Sequence, residues 1–258
     1  MSYPGLELNG KTAVVVGGSS GIGRAIAIGL AQAGADVIPS ARRAEQVATA
    51  AAEVQALGRR SLAITCDVAD ESSLRRLLQA AVSEFGKVDI LVYAAGITRR
   101  LPTPNTTEED WDAILDTNLK GAFHACNIFG RHMLERRYGR IVHIASLASF
   151  VGLFEVAAYT ASKAGLAGLT RSLAVEWAPY NICVNAIAPG VFRTALNQKL
   201  LDGTARGQEL LQRTPMKRFG RVEELAGLAV FLASDSASFV TGAVIPVDGG
   251  FLASGVNQ

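Results

Sequence analysis

The sequence predicts an α/β protein built on a doubly wound, seven-stranded parallel sheet with helices on both faces. Short runs of β-branched and apolar residues alternate with longer helical patterns along the 258 residues. Right-handed crossovers between parallel strands place such helices on both faces of the sheet. No linker, repeat or shift in composition divides the chain. We therefore predict a single domain over residues 1–258.

The predicted strands are short apolar runs, each followed by a helical pattern. They cover residues 13–16, 37–40, 62–66, 90–93, 141–144, 182–187 and 244–247. The helical patterns cover residues 22–32, 44–57, 72–85, 108–129, 157–177, a segment near Leu196, and 222–232. Proline has no N–H to donate within a sheet, so Pro39 predicts an early end to the second strand. Residues 194–220 are irregular, which is typical both of a lid over a site and of a longer surface connection.

The composition limits the classes of function. Hydrophobic residues make up 49% of the chain and charged residues 19%, which excludes intrinsic disorder. The longest apolar runs are nevertheless far shorter than the ~20 residues that a membrane-spanning helix needs. The net charge is only +2 and the arginine pairs are scattered among acids, which argues against a nucleic-acid partner. We expect a small-molecule substrate and no membrane partner.

The three cysteines and three histidines do not form a metal-binding pattern. Cys66, Cys126 and Cys183 are far apart in the sequence, which predicts buried, reduced thiols, and the isolated histidines are predicted to be structural. The first residues contain neither the basic region nor the apolar core of a signal peptide. These features predict a cytoplasmic location and no metal site.

A glycine-rich turn directly follows the first predicted strand and opens the first helix. It reads Gly17-Gly18-Ser19-Ser20-Gly21-Ile22-Gly23. Glycines let the backbone approach a pyrophosphate, and the free amides and positive dipole end of a helix attract it. We therefore predict a dinucleotide site with contacts from Gly17, Ser19, Ser20, Gly21 and Ile22.

The residues after the second predicted strand indicate which dinucleotide is bound. Enzymes that use NAD commonly place an acid there to bind the ribose 2'-hydroxyl, whereas this chain has Ala41 followed by Arg42 and Arg43. A guanidinium can hold a 2'-phosphate through two hydrogen bonds. NADP is therefore the predicted cofactor, with NAD as the alternative. Arg42 and Arg43 would otherwise be solvated residues at the start of a helix.

Tyr159 and Lys163 are four residues apart in a predicted helix, which places both side chains on one face. An ammonium group near a phenol favours phenolate, so the pair is predicted to exchange a proton near neutral pH. Ser146 follows the fifth predicted strand, at the carboxyl edge where open α/β sheets bind their ligands. Its hydroxyl is expected to hydrogen-bond a substrate oxygen beside the tyrosine.

In combination, these motifs resemble those of the short-chain dehydrogenase/reductase family. The glycine spacing Gly17-x-x-x-Gly21-x-Gly23, Ser146 and the Tyr159–Lys163 pair carry the resemblance, which runs from about Gly10 to the C-terminus. It implies a Rossmann fold and hydride transfer between a nicotinamide and the carbon of a secondary alcohol or ketone. Asn118 matches the fourth member of the family's catalytic set.

The resemblance implies a role for each of these residues. Tyr159 would be the general acid/base, Ser146 would polarise the substrate oxygen, and Lys163 would bind the nicotinamide ribose and lower the pKa of the tyrosine. Asn118 would bend its helix and hold a water that extends the proton relay. The implied cofactor contacts beyond the glycine turn are Asp67 and Val68 at the adenine, Ala94, Ala95 and Gly96 at the nicotinamide ribose, and Pro189, Gly190, Phe192 and Thr194 beside the nicotinamide. The alternative for Asp67 is a helix cap ahead of Asp70.

The chain departs from the family pattern at two positions. Val16 stands before the first glycine, where the family usually has threonine. Tyr93-Ala94-Ala95-Gly96 stands where the family usually has Asn-Asn-Ala-Gly. The hydrogen bonding of the first asparagine is lost, so the resemblance assigns no role to the side chain of Tyr93.

Within the family, the sequence looks most like bacterial sugar-acid dehydrogenases of the gluconate 5-dehydrogenase type. The segments 97–100, 190–194 and 213–220 carry this closer likeness. Because guanidinium suits a carboxylate, we predict that Arg99 or Arg100 binds the acid end of a sugar acid, with Ser146 and Phe154 also at the substrate. Surface arginines without a ligand are the alternative.

Two other functions stay open at this point. The first is a 3-oxoacyl-[acyl-carrier-protein] reductase, in which Phe150, Leu153, Phe154 and Val156 would line an acyl pocket. The second is a cofactor-binding regulatory scaffold with weak catalysis, against which the intact Ser146, Tyr159 and Lys163 argue.

The high apolar content also predicts contacts between subunits. In the family, the helices that correspond to residues 108–129 and 157–177 pair across subunits, and the C-terminal strand with Asp248-Gly249-Gly250 makes a second contact. The resemblance therefore implies a homotetramer, with a dimer as the alternative.

Overall fold

The computed structural model describes residues 3–194 and 197–255. Its central sheet consists of six parallel strands in the order β2-β1-β3-β4-β5-β6. These are β1 (Thr12–Val16), β2 (Asp36–Ser40), β3 (Ile90–Tyr93), β4 (Gly139–Ile144), β5 (Ile182–Pro189) and β6 (Val244–Val247). Since β1 lies between β2 and β3, the strand order reverses there, and ligands of such sheets bind at the carboxyl ends beside this point.

Helices cover both faces of the sheet, which confirms the predicted α/β architecture. They are α1 (Gly21–Gln32), α2 (Ala44–Ala56), α3 (Glu71–Phe85), α4 (Glu108–Leu115), α5 (Gly121–Arg136), α6 (Ala157–Trp177), α7 (Gln198–Leu201), α8 (Ala205–Arg213) and α9 (Ala226–Ala233). Successive residues of β1 point to opposite faces, so Val14 and Val16 join one apolar layer and Ala13 and Val15 the other. The first layer is completed by α3, α5 and α6, and the second by α1, α2 and α9.

The prediction of a seventh strand over residues 62–66 is wrong, because this segment does not pair regularly with the sheet. The segment runs beside β2, but only the two ends of the pairing have main-chain hydrogen bonds, from Val37 N–H to Arg60 O and from Cys66 N–H to Ala41 O. Pro39 faces the same edge as Val37 and has no N–H for the middle of the ladder. Side-chain hydroxyls of Ser40 and Ser61 bond across this gap, to Ile64 O and Val37 O.

The predicted long helix over residues 108–129 is interrupted. Between α4 and α5 lies a wide, π-helical turn, Asp116–Lys120, after which the helix continues to Arg136. Such turns are rare and frequent at functional sites. The interruption falls at Asn118, as the predicted bend requires.

The last third of the chain contains short elements. The predicted helical segment near Leu196 lies outside the described residues at its centre, and α7 and α8 follow it. β5 and β6 are joined through α9, and β6 forms the edge of the sheet opposite β2. Within residues 3–194 and 197–255, no helix has both the length and the apolarity needed to cross a membrane.

Candidate active site

The glycine-rich turn joins β1 to α1, and its backbone allows a phosphate group to approach closely. Gly17 has a φ of 84°, and a Cβ on it would lie 2.5 Å from Ala95 N. A side chain there would be strained and would also collide with the loop after β3. The Ser20 side chain does not cap the first N–H groups of α1. These groups and the glycine turn therefore form a cradle that fits a pyrophosphate.

Segments after β3 and β5 close on this turn from two sides. Ala94 N–H donates to Val16 O at 2.8 Å, which brings Ala94, Ala95 and Gly96 against Gly17. From the other side, Thr194 Cγ2 lies 3.7 Å from where a Cβ of Gly21 would stand. Gly190 follows Pro189 at the end of β5 and bonds to Val247 O, and Phe192 is buried. The predicted nicotinamide-flanking segment thus lies beside the predicted phosphate turn.

Arg42 and Arg43 are exposed at the carboxyl end of β2. Arg43 Nη2 lies 3.5 Å from Ser20 Oγ in the glycine turn, so this guanidinium borders the cradle. Asp67 is only partly exposed, and its Oδ1 accepts a hydrogen bond from Ala69 N–H. The cap of α3 is Asp70, whose carboxylate accepts from Ser72 N–H, so Asp67 is not that cap.

The predicted catalytic side chains come together where β4 ends and α6 begins. Ser146 follows β4, and its Oγ accepts a hydrogen bond from Ala148 N–H. Tyr159 and Lys163 lie one turn apart on α6, with Lys163 Nζ 5.7 Å from the centre of the tyrosine ring. Ser149 Oγ donates to Lys163 O at 2.7 Å and ties the loop after β4 to α6. Ser146 and Lys163 are both buried.

Burial sets the pKa values of Tyr159 and Lys163. It raises the pKa of the Tyr159 phenol, and the hydrogen bond with Ser146 opposes this shift. It lowers the pKa of the Lys163 ammonium to about 8. The family resemblance predicts that Lys163 lowers the pKa of Tyr159. The net shift of the phenol pKa is upward, and its two causes are burial, which raises it, and Ser146, which lowers it. Lys163 Nζ donates to Ile144 O at 2.7 Å, and removal of the phenol from water dominates its titration.

Asn118 connects the loop after β3 with α6. Its side chain is fully buried and makes two hydrogen bonds to the main chain of Ile97, accepting from N–H at 2.8 Å and donating to O at 2.9 Å. It also donates to Ser162 Oγ at 3.0 Å. A Cβ on Gly96 would lie 3.4 Å from both Asn118 Oδ1 and Lys163 Nζ. Asn118 therefore belongs to the same cluster as Tyr159 and Lys163.

Ile97 and Ser162 were not predicted from the sequence. Ile97 contributes through its main chain, which leaves no signal in residue type. Ser162 precedes Lys163 in the helix, and its hydroxyl donates to Tyr159 O at 2.7 Å. The sequence shows only a small polar residue next to the lysine, and its burial and contacts come from the structure.

Both arginines predicted at the substrate are paired with acids of the same chain. Arg99 forms an ion pair with Asp110 of α4, and Arg100 forms one with Glu155 at 2.8 Å. Leu101 N–H also donates to Glu155 O at 2.8 Å, so the loops after β3 and β4 are joined. Phe154, predicted beside the substrate, is 68% exposed and lies under the Arg100 guanidinium. A substrate carboxylate would have to compete with Glu155 or Asp110 for these arginines.

Comparison with known proteins gives full-length relatives. A family model described as "Enoyl-(Acyl carrier protein) reductase" matches residues 16–252. The 2-dehydro-3-deoxy-D-gluconate 5-dehydrogenase of Dickeya dadantii is 44% identical over 96% of this chain and 97% of its own length. The gluconate 5-dehydrogenase of Gluconobacter oxydans is 38% identical over 98% of this chain and 100% of its own. A 3-oxoacyl-[acyl-carrier-protein] reductase of Staphylococcus aureus is 40% identical over 93% of this chain and 97% of its own.

Solved structures of similar proteins carry related descriptions. A protein from Beutenbergia cavernae, described as an NAD(P)-dependent gluconate 5-dehydrogenase with bound NADP, is 44% identical with a TM-score of 0.92, covering 97% of this chain and 100% of that one. A gluconate 5-dehydrogenase from Burkholderia cenocepacia in complex with NADP and tartrate is 37% identical with a TM-score of 0.93. The match covers 97% of this chain and 98% of that one. The chain belongs to the short-chain dehydrogenase/reductase family of NAD(P)-dependent oxidoreductases.

Proposed function

We propose that the protein is an NADP(H)-preferring dehydrogenase that interconverts a secondary alcohol and a ketone on a sugar acid or a related polyol or keto acid. The observation that carries this proposal is the cluster of Ser146, Tyr159, Lys163 and Asn118 beside the glycine cradle. Proton-transfer groups and a dinucleotide cradle at one edge of the sheet suit hydride transfer at a carbon that carries oxygen.

Each side chain of the cluster has a distinct role in this proposal. Tyr159 gives a proton to the substrate oxygen during reduction and takes it back during oxidation. Ser146 hydrogen-bonds the same oxygen, and Lys163 binds the ribose of the cofactor while Asn118 completes the proton relay. Bound NADP would supply or accept the hydride. The glycine turn, Ala94–Gly96 and residues 189–194 would hold it, with Asp67 and Val68 at the adenine.

The preference for NADP rests on the residues around the end of β2. Arg43 borders the glycine turn, and Arg42 is exposed beside it. A 2'-phosphate would find two guanidinium groups there and no carboxylate at the position of Ala41. The NADP-bound structures of relatives support the same preference.

Two observations bear on the substrate. Relatives with sugar-acid names match over nearly the full chain, and one solved relative holds tartrate, a small hydroxy acid. Sequence identity alone does not separate the two substrate classes, because the reductase of Staphylococcus aureus is 40% identical and the gluconate 5-dehydrogenase of Gluconobacter oxydans is 38% identical. The exposed Phe150 and Phe154 beside the site keep the acyl substrate as the second candidate.

A spectrophotometric screen tests the proposal. The protein is assayed with NADPH and NADH against sugar acids, polyols and acyl thioester analogues. We expect turnover of a sugar acid or keto acid with NADPH preferred. Turnover of acyl thioesters alone would support the second candidate, and no turnover with any substrate would support the regulatory scaffold.

The Tyr159→Phe variant tests the proton donor. It should lower kcat by roughly a hundredfold to ten-thousandfold, the usual contribution of general acid–base catalysis, while NADPH still binds. Tyr180→Phe, which removes a hydroxyl from a half-exposed tyrosine beyond the end of α6, is the matched control and should keep full turnover. Retained turnover in Tyr159→Phe would remove this residue as the proton donor.

The proposed assembly is a homotetramer, and the proposed location is the cytoplasm. One face of α6 is lined by exposed small residues at helical spacing, namely Ala161, Ala164, Ser172 and Val175, with the last 80% exposed. Small side chains at these positions let two helices approach closely, and the exposed Arg171 lies beside them. The three cysteines are buried free thiols, which fits a reducing compartment.

A further inference from the structure

Tyr93, the last residue of β3, is among the largest fully buried side chains of the described protein. It lies in the apolar layer formed by α3, α5 and α6, and burial raises the pKa of its phenol well above the usual value. The hydroxyl is therefore a neutral donor. A buried hydroxyl needs a partner, and this one donates to the main-chain oxygen of Thr117 at 2.6 Å.

Thr117 lies in the wide turn between α4 and α5. In a regular α-helix, Gly121 N–H would bond to Thr117 O, four residues earlier. Here Gly121 N–H bonds to Asp116 O instead. The wide turn thus takes the usual helical donor away from Thr117 O, and the Tyr93 hydroxyl replaces that donor.

Gly121 leaves the space that the Tyr93 hydroxyl occupies. A Cβ on Gly121 would lie 2.5 Å from the hydroxyl oxygen of Tyr93 and 3.1 Å from Asp116 O. Any larger residue at position 121 would therefore push the hydroxyl or the turn aside. Tyr93 and Gly121 form a matched pair across the interface between β3 and the turn.

The turn presents Asn118, the residue after Thr117. Asn118 holds the main chain of Ile97 through two hydrogen bonds and reaches Ser162 of α6 through a third. Displacement of Thr117 O would tilt this side chain and shift its contacts on both sides. Through its hydrogen bond to Thr117 O, the Tyr93 hydroxyl therefore supports Asn118, the member of the cluster that lies next to Lys163.

We propose that Tyr93 is a positioning residue that holds the wide turn in the shape from which Asn118 serves proton transfer. The inference rests on the proposed role of Asn118. It gives a function to a side chain that differs from the asparagine usual at this point in the family. Tyr93 does not touch substrate or cofactor in this arrangement and acts only through the turn.

Tyr93→Phe removes the hydroxyl and keeps the ring in the core. We expect kcat to fall about threefold to tenfold, the effect of one lost hydrogen bond, while the Kd of NADPH stays unchanged. In the Asn118→Ala background, Tyr93→Phe should lower kcat no further, because both changes act through one residue. A purely structural loss would multiply with that of Asn118→Ala.

Tyr138→Phe is the matched control. Tyr138 precedes β4 at the opposite end of the sheet, and its hydroxyl bonds to Asp235 at 2.9 Å and to Lys11 Nζ at 2.7 Å. Its loss should leave kcat unchanged. Gly121→Ala is a second test that keeps the Tyr93 hydroxyl and displaces it, and it should give the same fall in kcat. Its Kd for NADPH is not a control, because the new Cβ would also lie 3.1 Å from Cβ of Val68.

Three results would overturn this inference while leaving the proposed role of Asn118 in place. They are full turnover in Tyr93→Phe, full turnover in Gly121→Ala, and multiplicative losses in the double variant. Full turnover in Asn118→Ala would refute the proposed role of Asn118 and this inference together. A large loss in Asn118→Ala with none in Tyr93→Phe would refute only this inference.

Discussion

Burial controls the two titratable side chains of the catalytic cluster in opposite directions. Lys163, with a pKa lowered to about 8, still carries its charge at neutral pH but loses it at mildly alkaline pH. Tyr159 has a raised pKa and is a neutral phenol at neutral pH. The neutral phenol is the form that donates a proton to a ketone, whereas oxidation of an alcohol needs the phenolate.

The two directions of the reaction should therefore depend on pH with opposite signs. We expect kcat/KM for alcohol oxidation to rise with pH, with a slope of up to about one in log units per pH unit, because the fraction of phenolate grows. The kcat/KM for ketone reduction should stay constant or fall as the pH rises. Initial rates in both directions measure this, with circular dichroism at each pH as the control for folding. An oxidation rate that is independent of pH would contradict the assignment of Tyr159 as the titrating group.

The choice of cofactor should depend on Arg43. We expect Arg43→Ala to raise KM for NADPH about tenfold to a hundredfold, the value of a lost charged hydrogen bond, and to leave KM for NADH unchanged. Arg75→Ala removes an exposed arginine of α3 that pairs with Glu71, and it serves as the control for a lost surface charge. Equal effects of Arg43→Ala on both cofactors would show that Arg43 does not contact the 2'-phosphate.

Residues in short local motifs could be predicted, and residues that act through distant pairing could not. Tyr159 and Lys163 are one helical turn apart, so spacing alone places them together. The partners of Arg99 and Arg100 are Asp110 and Glu155, which no local pattern connects with them. The contact of Tyr93 with Thr117 depends in the same way on packing between a strand and a helix turn.

Among the elements, the sheet edge beside β2 shows how one residue, Pro39, reduces the predicted seven strands to six. Apolar residues in 62–66 place this segment correctly against β2. Its pairing fails in the middle because Pro39 cannot donate. The early end predicted for β2 is also wrong, since β2 continues through Pro39 to Ser40, held on its other side by β1.

Pro39→Val should restore the missing donor. We expect residues 62–66 to pair more completely with β2, because a valine N–H at position 39 faces the same edge as Val37 N–H. Amide hydrogen exchange at Ile64 and its neighbours should slow, whereas exchange in the distant helix α8 should not change. Unaltered exchange at residues 62–66 would mean that the serine hydroxyls, and not the proline, keep the segment out of the ladder.

The interruption between α4 and α5 has a different origin. Residues 108–120 contain no glycine or proline that would break a helix. The wide turn is stabilised by tertiary hydrogen bonds of Asn118 and Tyr93 instead. The family resemblance could predict a bend at Asn118, whereas the hydrophobic periodicity predicted one continuous helix.

In the whole molecule, the apolar side chains lie in two kinds of place. Most of them fill the two layers that sandwich the sheet. The remainder includes exposed large side chains, among them Trp111 of α4, Phe123 of α5 and Val175 of α6, and Phe239 near the sheet edge. Exposed apolar side chains on neighbouring helices are typical of a surface between subunits.

Val175→Glu tests the proposed homotetramer. If α6 packs against its copy in a second subunit, the substitution buries two unpaired carboxylates at a close contact, which is strongly unfavourable. We expect the wild-type protein to sediment as a tetramer at roughly micromolar concentration and the variant as a smaller species. Ala48→Glu adds the same charge to an exposed position on α2, away from α6, and should remain tetrameric. A wild-type monomer at that concentration would contradict the assembly, and a tetrameric Val175→Glu variant would place the interface elsewhere than on this face of α6.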